Sequence, residues 1–396
     1  MKALYIVYYH PDRKAGLFYA THERIKHSLF YLTDYKILNF RYYDNWLLSF
    51  VKIIFGLTPT KKGAEFYLFD NLKYENIWLS RGLFDAVTTW GKLDRFRFAG
   101  ILMNEFYISK KKLQPIAKVA QNNDYIMAHW GYPNGRIAMK ISALTKKPFF
   151  VTYHGSDINI QPKINRIFKK RIADVLKNAT SNIAVSEKLN KQVKKIDAKI
   201  ETFVSTNGIP ENIILKEKPN FENNSKPVSV IFIGNLIDVK RADKLPEIIK
   251  LIASKTNQKL NFTILGEGKY KAFIENDLKN NNISFQMPGL VPRSEVYDYL
   301  KKAKILMLPS RNEGMPLVIL EAIATNTIPV ASDIGGISEI LEKDFLVNES
   351  STFEKDFAKK VAALIKKPRY PKLKIENYTW KHLMKIENEI LRDYIT

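Results

Sequence analysis

Two glutamates, Glu313 and Glu321, flank seven residues in the stretch PSRNEGMPLVILEA. The first lies in a loop that follows the apolar run Ile305-Leu306-Met307-Leu308. The second lies inside an apolar segment that reads as a helix starting at Pro316. Proline suits a first helical position, because its missing N–H would have no partner there. The next N–H groups, at Leu317 and Val318, have no intrahelical acceptor and carry the positive end of the helix dipole. They form an anion site. An acid, an amide nest with Gly314 and Met315 beside it, and a second acid can hold a sugar, a diphosphate and a ribose in turn.

Other residue types with chemical capacity fall at predicted strand ends. His154-Gly155-Ser156-Asp157 follows Phe149-Phe150-Val151-Thr152-Tyr153. A titratable ring at a strand's carboxyl end, next to a glycine that admits a ligand, is placed for chemistry. A histidine that merely ties down a neighbouring loop gives the same pattern. Gly234-Asn235-Leu236-Ile237-Asp238-Val239-Lys240-Arg241 joins a strand to a helix. Two cations near a helix start are unfavourable unless an anion is bound, which points to phosphate, although a solvated Lys–Arg pair fits as well. Gly335-Gly336 and Gly16 are weaker signals, since glycines also serve simple turns.

Several chemistries are excluded. The 396 residues contain no cysteine, so disulfide and thiolate chemistry are absent. There is no Asp-x-Asp pair, Walker loop or Gly-x-Ser-x-Gly, and the six histidines look scattered rather than metal-spaced. The opening residues read as a buried strand rather than a signal peptide. No apolar run reaches the roughly 18–20 residues a spanning helix needs.

The elements that must position these residues alternate between strand and helix. In the second half, strands are expected at 228–234, 260–266, 283–287, 304–308 and 328–331. Helices are expected at 242–254, 270–279, 295–302 and 317–325. This alternation predicts a parallel sheet covered on both faces, with ligands beyond the carboxyl ends of its strands. The first half repeats the pattern with insertions: a strand at 2–9, a helix opening at 14–17, and strands at 127–129, 149–152 and 182–185. Residues 205–212 read as a hinge and 216–226 as an exposed loop.

Taken together, these motifs resemble a family 4 glycosyltransferase of the GT-B architecture, similar to bacterial cell-surface polysaccharide transferases of the teichuronic-acid type. The resemblance rests on PSRNEGMPLVILEAIATNTIPVASDIGGISEIL, supported by VTYHGSDI, AVSEKLN, STNGIP and FTILGEGKY, and it covers nearly the whole chain. It implies an α/β fold of two Rossmann-like domains facing a cleft, with the last helix crossing back to the first domain. The expected bounds are 1–208 plus 377–396 for the acceptor domain and 209–376 for the donor domain. It implies metal-independent hexosyl transfer with retention, from a nucleotide diphosphate sugar to a glycan or lipid-linked acceptor. No cofactor is expected; UDP-sugar is the first donor choice and GDP-sugar the alternative. Residue by residue, Glu313 resembles the acid on the donor sugar, Glu321 the acid on the ribose, and Lys240 the phosphate-binding lysine. His154 resembles the active-site histidine, and Gly16 the loop at sugar and acceptor. The family usually has arginine where Asn235 stands after Gly234, and Arg241 is a candidate to compensate.

The formal charge is +23, of which residues 1–210 carry about +18 and 211–396 about +5. A basic half attracts polyanions, although a Lys-rich composition explains it too. The dense apolar run at 46–57, followed by Lys61-Lys62, suits either a membrane interface or a buried helix. Lys110-Lys111-Lys112 and Lys169-Lys170-Arg171 add basic clusters. The expected location is cytoplasmic and peripheral, on an anionic membrane face; no nucleic-acid motif is present. The competing functions are a catalytically degenerate relative that binds an anionic glycan, a nucleotide-sugar epimerase and a sugar phosphorylase.

Overall fold

The computed structural model describes residues 1–8, 16–81, 108–164, 166–216 and 227–395. The chain divides into two compact units. Unit 1 is Met1–Val185, Leu189–Ser205 and Met384–Thr396; unit 2 is Ser186–Lys188 and Thr206–Leu383. Most of the expected 216–226 loop, from 217 onward, lies outside the described residues, as do residues 14 and 15 of the first helical segment.

Unit 1 is built on an eight-stranded sheet. Its strands are β1 (Lys2–Val7), β2 (Asp34–Asp44), β3 (Phe66–Phe69), β4 (Leu72–Arg81), β5 (Tyr125–His129), β6 (Phe149–Tyr153), β7 (Ser181–Ala184) and β8 (Thr202–Val204). They lie in the order β3-β4-β2-β1-β5-β6-β7-β8, and only β3 runs antiparallel to its neighbour. β5, β6 and β7 are buried at every residue, as parallel strands covered on both faces must be. Ala3, Tyr5, Val7, Ile37, Met127, Phe150 and Ile183 form the core, and Leu391 of the last helix joins them. That helix, Trp380–Ile395, is tied down by Glu387, which pairs with the buried Arg24 and accepts from Ser205 Oγ at 2.6 Å.

Unit 2 carries a six-stranded parallel sheet: β9 (Val228–Ile233), β10 (Leu260–Leu265), β11 (Phe285–Gly289), β12 (Ile305–Leu308), β13 (Ile328–Ser332) and β14 (Leu346–Val347). The order is β11-β10-β9-β12-β13-β14. This is the doubly wound 3-2-1-4-5-6 order, whose strand order reverses between β9 and β12. Ligands in such sheets bind at that reversal. The expected strands and helices of this half are all present, with ends shifted by at most three residues. Pro316 is one such shift. It caps the Leu317–Ala324 helix with an extended ψ of 119° rather than occupying its first turn.

The apolar run at 46–57 forms the helix Trp46–Ile54. Asn45 caps it by accepting a hydrogen bond from Leu48 N at 2.8 Å. Its inward side holds Leu48 and Lys52, and Lys52 pairs with the buried Asp44 at 2.6 Å. Of the two readings of this run, interface helix and buried helix, the buried one is set aside: the large apolar residues face out.

Candidate functional site

The unit 2 site grows from the two loops at the strand-order reversal. After β9, Gly234 leads into the short turn Asp238–Lys240. A side chain added at Gly234 would meet the Lys240 stem at 3.6 Å, so the lysine lies across that backbone. After β12, the 309–316 loop is tied to the same turn by Arg311 N donating to Val239 O at 2.8 Å. The two loops bring Lys240 Nζ onto Glu313 Oε1 as an ion pair. Ser310 Oγ donates to the same oxygen at 2.7 Å. A lysine and a glutamate separated by 73 residues in sequence are thus held together at the strand-order reversal.

The loop carrying Glu313 is braced from behind. Gly336 N donates to Gly314 O at 2.6 Å. Gly335 has φ +55°, and a Cβ there would lie 2.1 Å from Glu313 O. Only glycine permits this backbone-on-backbone packing, which is the physical reason for the Gly335-Gly336 pair. Asn207 Nδ2 donates to Met315 O at 2.9 Å, fixing the residue before the cap. Leu317 and Val318 then open the helix with their N–H groups at its positive end.

Glu321 is one turn further on and only 1% exposed. One carboxylate oxygen pairs with Arg293, at the start of the helix Arg293–Lys302. The other oxygen is buried and has no hydrogen-bond partner among the described residues. A buried carboxylate oxygen left so is costly, and a ligand hydroxyl would satisfy it.

Asn235 is exposed at the rim. Arg241 does not stand in for it. Its guanidinium donates from Nε to Pro309 O at 3.0 Å, pairs with Glu349 and Glu354, and lies 3.9 Å over the Phe353 ring. Arg241 is buried at 6% exposure and acts as a brace under the 309–316 loop, so the compensating role considered for it is set aside.

In unit 1 the corresponding reversal of strand order lies between β1 and β5. The helix Gly16–Ser28 follows β1, and His129 ends β5. His154, just past β6, has its Nε2 at 3.4 Å from His129 Nδ1. Among the described residues, the outer nitrogens, His129 Nε2 and His154 Nδ1, are buried without partners. Asp157 folds the His154 loop by accepting from Gly155 N at 2.9 Å, His154 N at 3.2 Å and Gly131 N at 3.4 Å. Gly155 sits at φ +119°, so the residue after His154 must be glycine.

Burial, with the Arg24 charge as a lesser cause, pushes His154 down to about 3. Burial first, then His154 and Arg24, holds His129 well below the usual imidazole range. Both rings are therefore neutral near pH 7 and can act as hydrogen-bonding groups. Burial raises the Asp157 carboxyl to about 6 against the backbone donors that favour its charge.

The sequence reading does not single out His129, Asn207 or Arg293, and it assigns no role to Asp157 or Ser310, although both stand in the motifs quoted above. His129 carried a signal, because it ends an apolar strand and is followed closely by glycine, as His154 does. Among the described residues, one group (His22, Glu23 and Asp70) brings three ligand-type atoms within 4.8 Å. Lys26 Nζ already sits 2.5 Å from Asp70 Oδ2, and the Tyr74 hydroxyl lies 2.6 Å from His22 Nδ1. The group closes on itself as an ion-pair cluster.

Comparison with known proteins bears on the fold and on unit 2. Residues 214–379 match the family described as Glycosyl transferases group 1 and carry that domain. TuaC of Bacillus subtilis, named as a candidate teichuronic acid biosynthesis glycosyltransferase, is 28% identical over 56% of this chain and 56% of its own length. The chain thus matches little more than half of that relative. A glycosyltransferase of Methanocaldococcus jannaschii, described as uncharacterized, is 28% identical over 72% of this chain and 75% of its own. HepE of Anabaena, solved with UDP and glucose, shares the fold at TM-score 0.68 and 13% identity, over 99% of this chain and 100% of its own. The two parallel-sheet domains are those of the GT-B architecture.

Proposed function

We propose that this protein is a retaining, metal-independent glycosyltransferase. It moves a hexose-type sugar from a nucleotide diphosphate sugar to a glycan or lipid-linked acceptor in cell-surface polysaccharide synthesis. The observation that carries this reading is the sequence of groups along one strand-loop-helix: Glu313 paired with Lys240, the open helix start at Leu317 and Val318, and Glu321 with a buried oxygen awaiting a donor.

In this reading unit 2 holds the donor. Glu321 accepts from the ribose hydroxyls, and Arg293 keeps its carboxylate in place. The N–H groups of Met315, Leu317 and Val318 take the diphosphate, with Lys240 as the added cation. Gly234 and Gly314 let the ligand approach the backbone, Pro316 directs the chain into the helix, and Asn235 contributes an amide at the rim. Glu313 accepts from the sugar hydroxyls. Within unit 1, neutral His154 is the proposed active-site histidine and Gly16 the proposed loop residue for the acceptor side. Stabilising the leaving diphosphate is the main catalytic term, as preorganised charge usually is. A diphosphate oxygen can take the acceptor's proton on the face it leaves, so retention needs no protein base. UDP is the first choice of nucleotide, in line with the UDP and glucose bound by HepE, and GDP is the alternative. The proposed location is cytoplasmic and peripheral, on the anionic inner face of the cell membrane.

Incubation with a panel of nucleotide sugars tests the reading. Release of nucleoside diphosphate supports it. A new nucleotide sugar points to an epimerase, and no release from any donor points to a binding module.

A further inference from the structure

We infer that the helix Trp46–Ile54 and the residues just after it form the surface that docks on an anionic lipid bilayer. The inference rests on the peripheral placement proposed above and not on the transfer reaction.

The arrangement of this helix is inverted. Its inward side carries the Lys52–Asp44 ion pair, with side chains 11% and 0% exposed. Its outward side carries Trp46 at 80% exposure, Phe50 at 59%, Ile53 at 64% and Ile54 at 62%, and Phe55 at 67% follows. At 100° per residue, Trp46, Leu47, Phe50, Ile53 and Ile54 fall within about one-third of the helix circumference. A helix that met only water would turn its polar stripe outward. Here the ion pair is inside and the aromatic stripe is outside.

The cap and the anchors make this orientation deliberate. Asn45 fixes the start of the helix. Asp44 also accepts Thr60 N at 2.6 Å, so the chain after the helix returns to the same carboxylate. The apolar face therefore cannot roll inward without breaking a buried ion pair and two backbone contacts.

Charge selects the occupant. Residues 46–64 contain three lysines and no acid. Lys52 is paired inward, and Lys61 and Lys62, a few residues after the helix, are exposed, with the Lys62 ammonium 4.7 Å over the Tyr43 ring. Tryptophan, phenylalanine and isoleucine flanked by lysine suit a membrane interface with anionic headgroups. The segment is too short to span a bilayer, and among the described residues no helix is long and apolar enough to do so. It would lie in the interface.

The test uses the full chain and vesicles of equal parts phosphatidylcholine and phosphatidylglycerol. The wild type should co-sediment with them and bind phosphatidylcholine vesicles less well. Trp46→Ser/Phe50→Ser/Ile53→Ser should weaken binding at least about tenfold while leaving Tm and nucleotide affinity unchanged. Lys61→Gln/Lys62→Gln should reduce the preference for phosphatidylglycerol and its sensitivity to salt. If the triple variant binds as the wild type does, this helix is not the docking surface, although the peripheral placement stands. If the wild type binds neither vesicle, the placement itself is wrong. If the wild type self-associates, the triple variant is monomeric and neither binds lipid, the occupant is a second copy and the inference is overturned.

Discussion

Lys240 and Glu313 form an ion pair where the strand order of the six-stranded sheet reverses, and Ser310 donates to the same carboxylate oxygen. The two proposed donor-binding charges therefore pair with each other. Binding a diphosphate sugar would separate them, with the lysine going to phosphate and the glutamate to sugar hydroxyls. Lys240→Ala and Glu313→Ala should each lower the transfer rate by about 10²–10³. Both side chains are partly exposed, so the variants should keep the wild-type circular dichroism. Near-wild-type turnover in either variant removes that residue from the mechanism.

The Arg293–Glu321 pair makes a prediction about stability. Arg293→Ala would leave Glu321 buried without its cation, a change that costs about 3 kcal/mol in comparable pairs. A Tm loss on the order of 5–10 °C is expected by calorimetry. Arg293→Met/Glu321→Met should recover much of that loss, because no charge then remains buried. The double variant should still fail to bind nucleotide. If it binds as the wild type does, Glu321 is only structural.

Gly335 lies outside the proposed ligand contacts yet should control them. Gly335→Ala places a methyl group 2.1 Å from Glu313 O, at a φ of +55° that alanine rarely adopts. The 309–316 loop must shift. Nucleoside diphosphate affinity should fall about tenfold or more in a titration, since a displacement near 1 Å at a site is felt strongly. Unchanged affinity would mean that the loop does not hold the donor.

The histidine pair predicts how stability follows pH. His154 is pushed from 6.5 to about 3 in the folded chain, and His129 is lowered in the same sense. Between those limits the unfolded chain binds protons that the folded chain does not. The stability is fully present above about pH 6.5 and falls as pH drops toward 3, by up to about 1.4 kcal/mol per pH unit for each ring. Asp157, raised from 3.8 to about 6, acts in the opposite sense between those values and is common to both proteins compared. Melting His129→Gln/His154→Gln beside the wild type at about pH 7 and pH 5 should show a flatter loss in the double variant. Parallel losses would contradict the neutral buried pair.

The parts of this fold legible in the sequence share a physical cause. β9, β10, β12 and β13 are apolar runs ended by glycine, serine or proline, and their helices repeat at 3.6 residues, so local pattern was enough. The relation of Glu313 to Glu321 is also local, lying within one strand-loop-helix. What escaped was brought together from a distance. His129 meets His154 across two adjacent strands, and Arg293 reaches Glu321 from a different helix. Arg241 looked available because it follows Lys240, but the fold turns it under the loop onto Glu349, Glu354 and Phe353. As sequence, the apolar run at 46–57 suits either interface or core, and only burial distinguishes the two.

The most direct measurement is calorimetric titration of UDP, GDP and ADP into the wild type, Lys240→Ala and Glu321→Gln. The account predicts that one of these nucleotides binds the wild type and that each substitution weakens it by about tenfold or more. Equal affinity in all three proteins, or no binding of any nucleotide to a folded wild type, would contradict it.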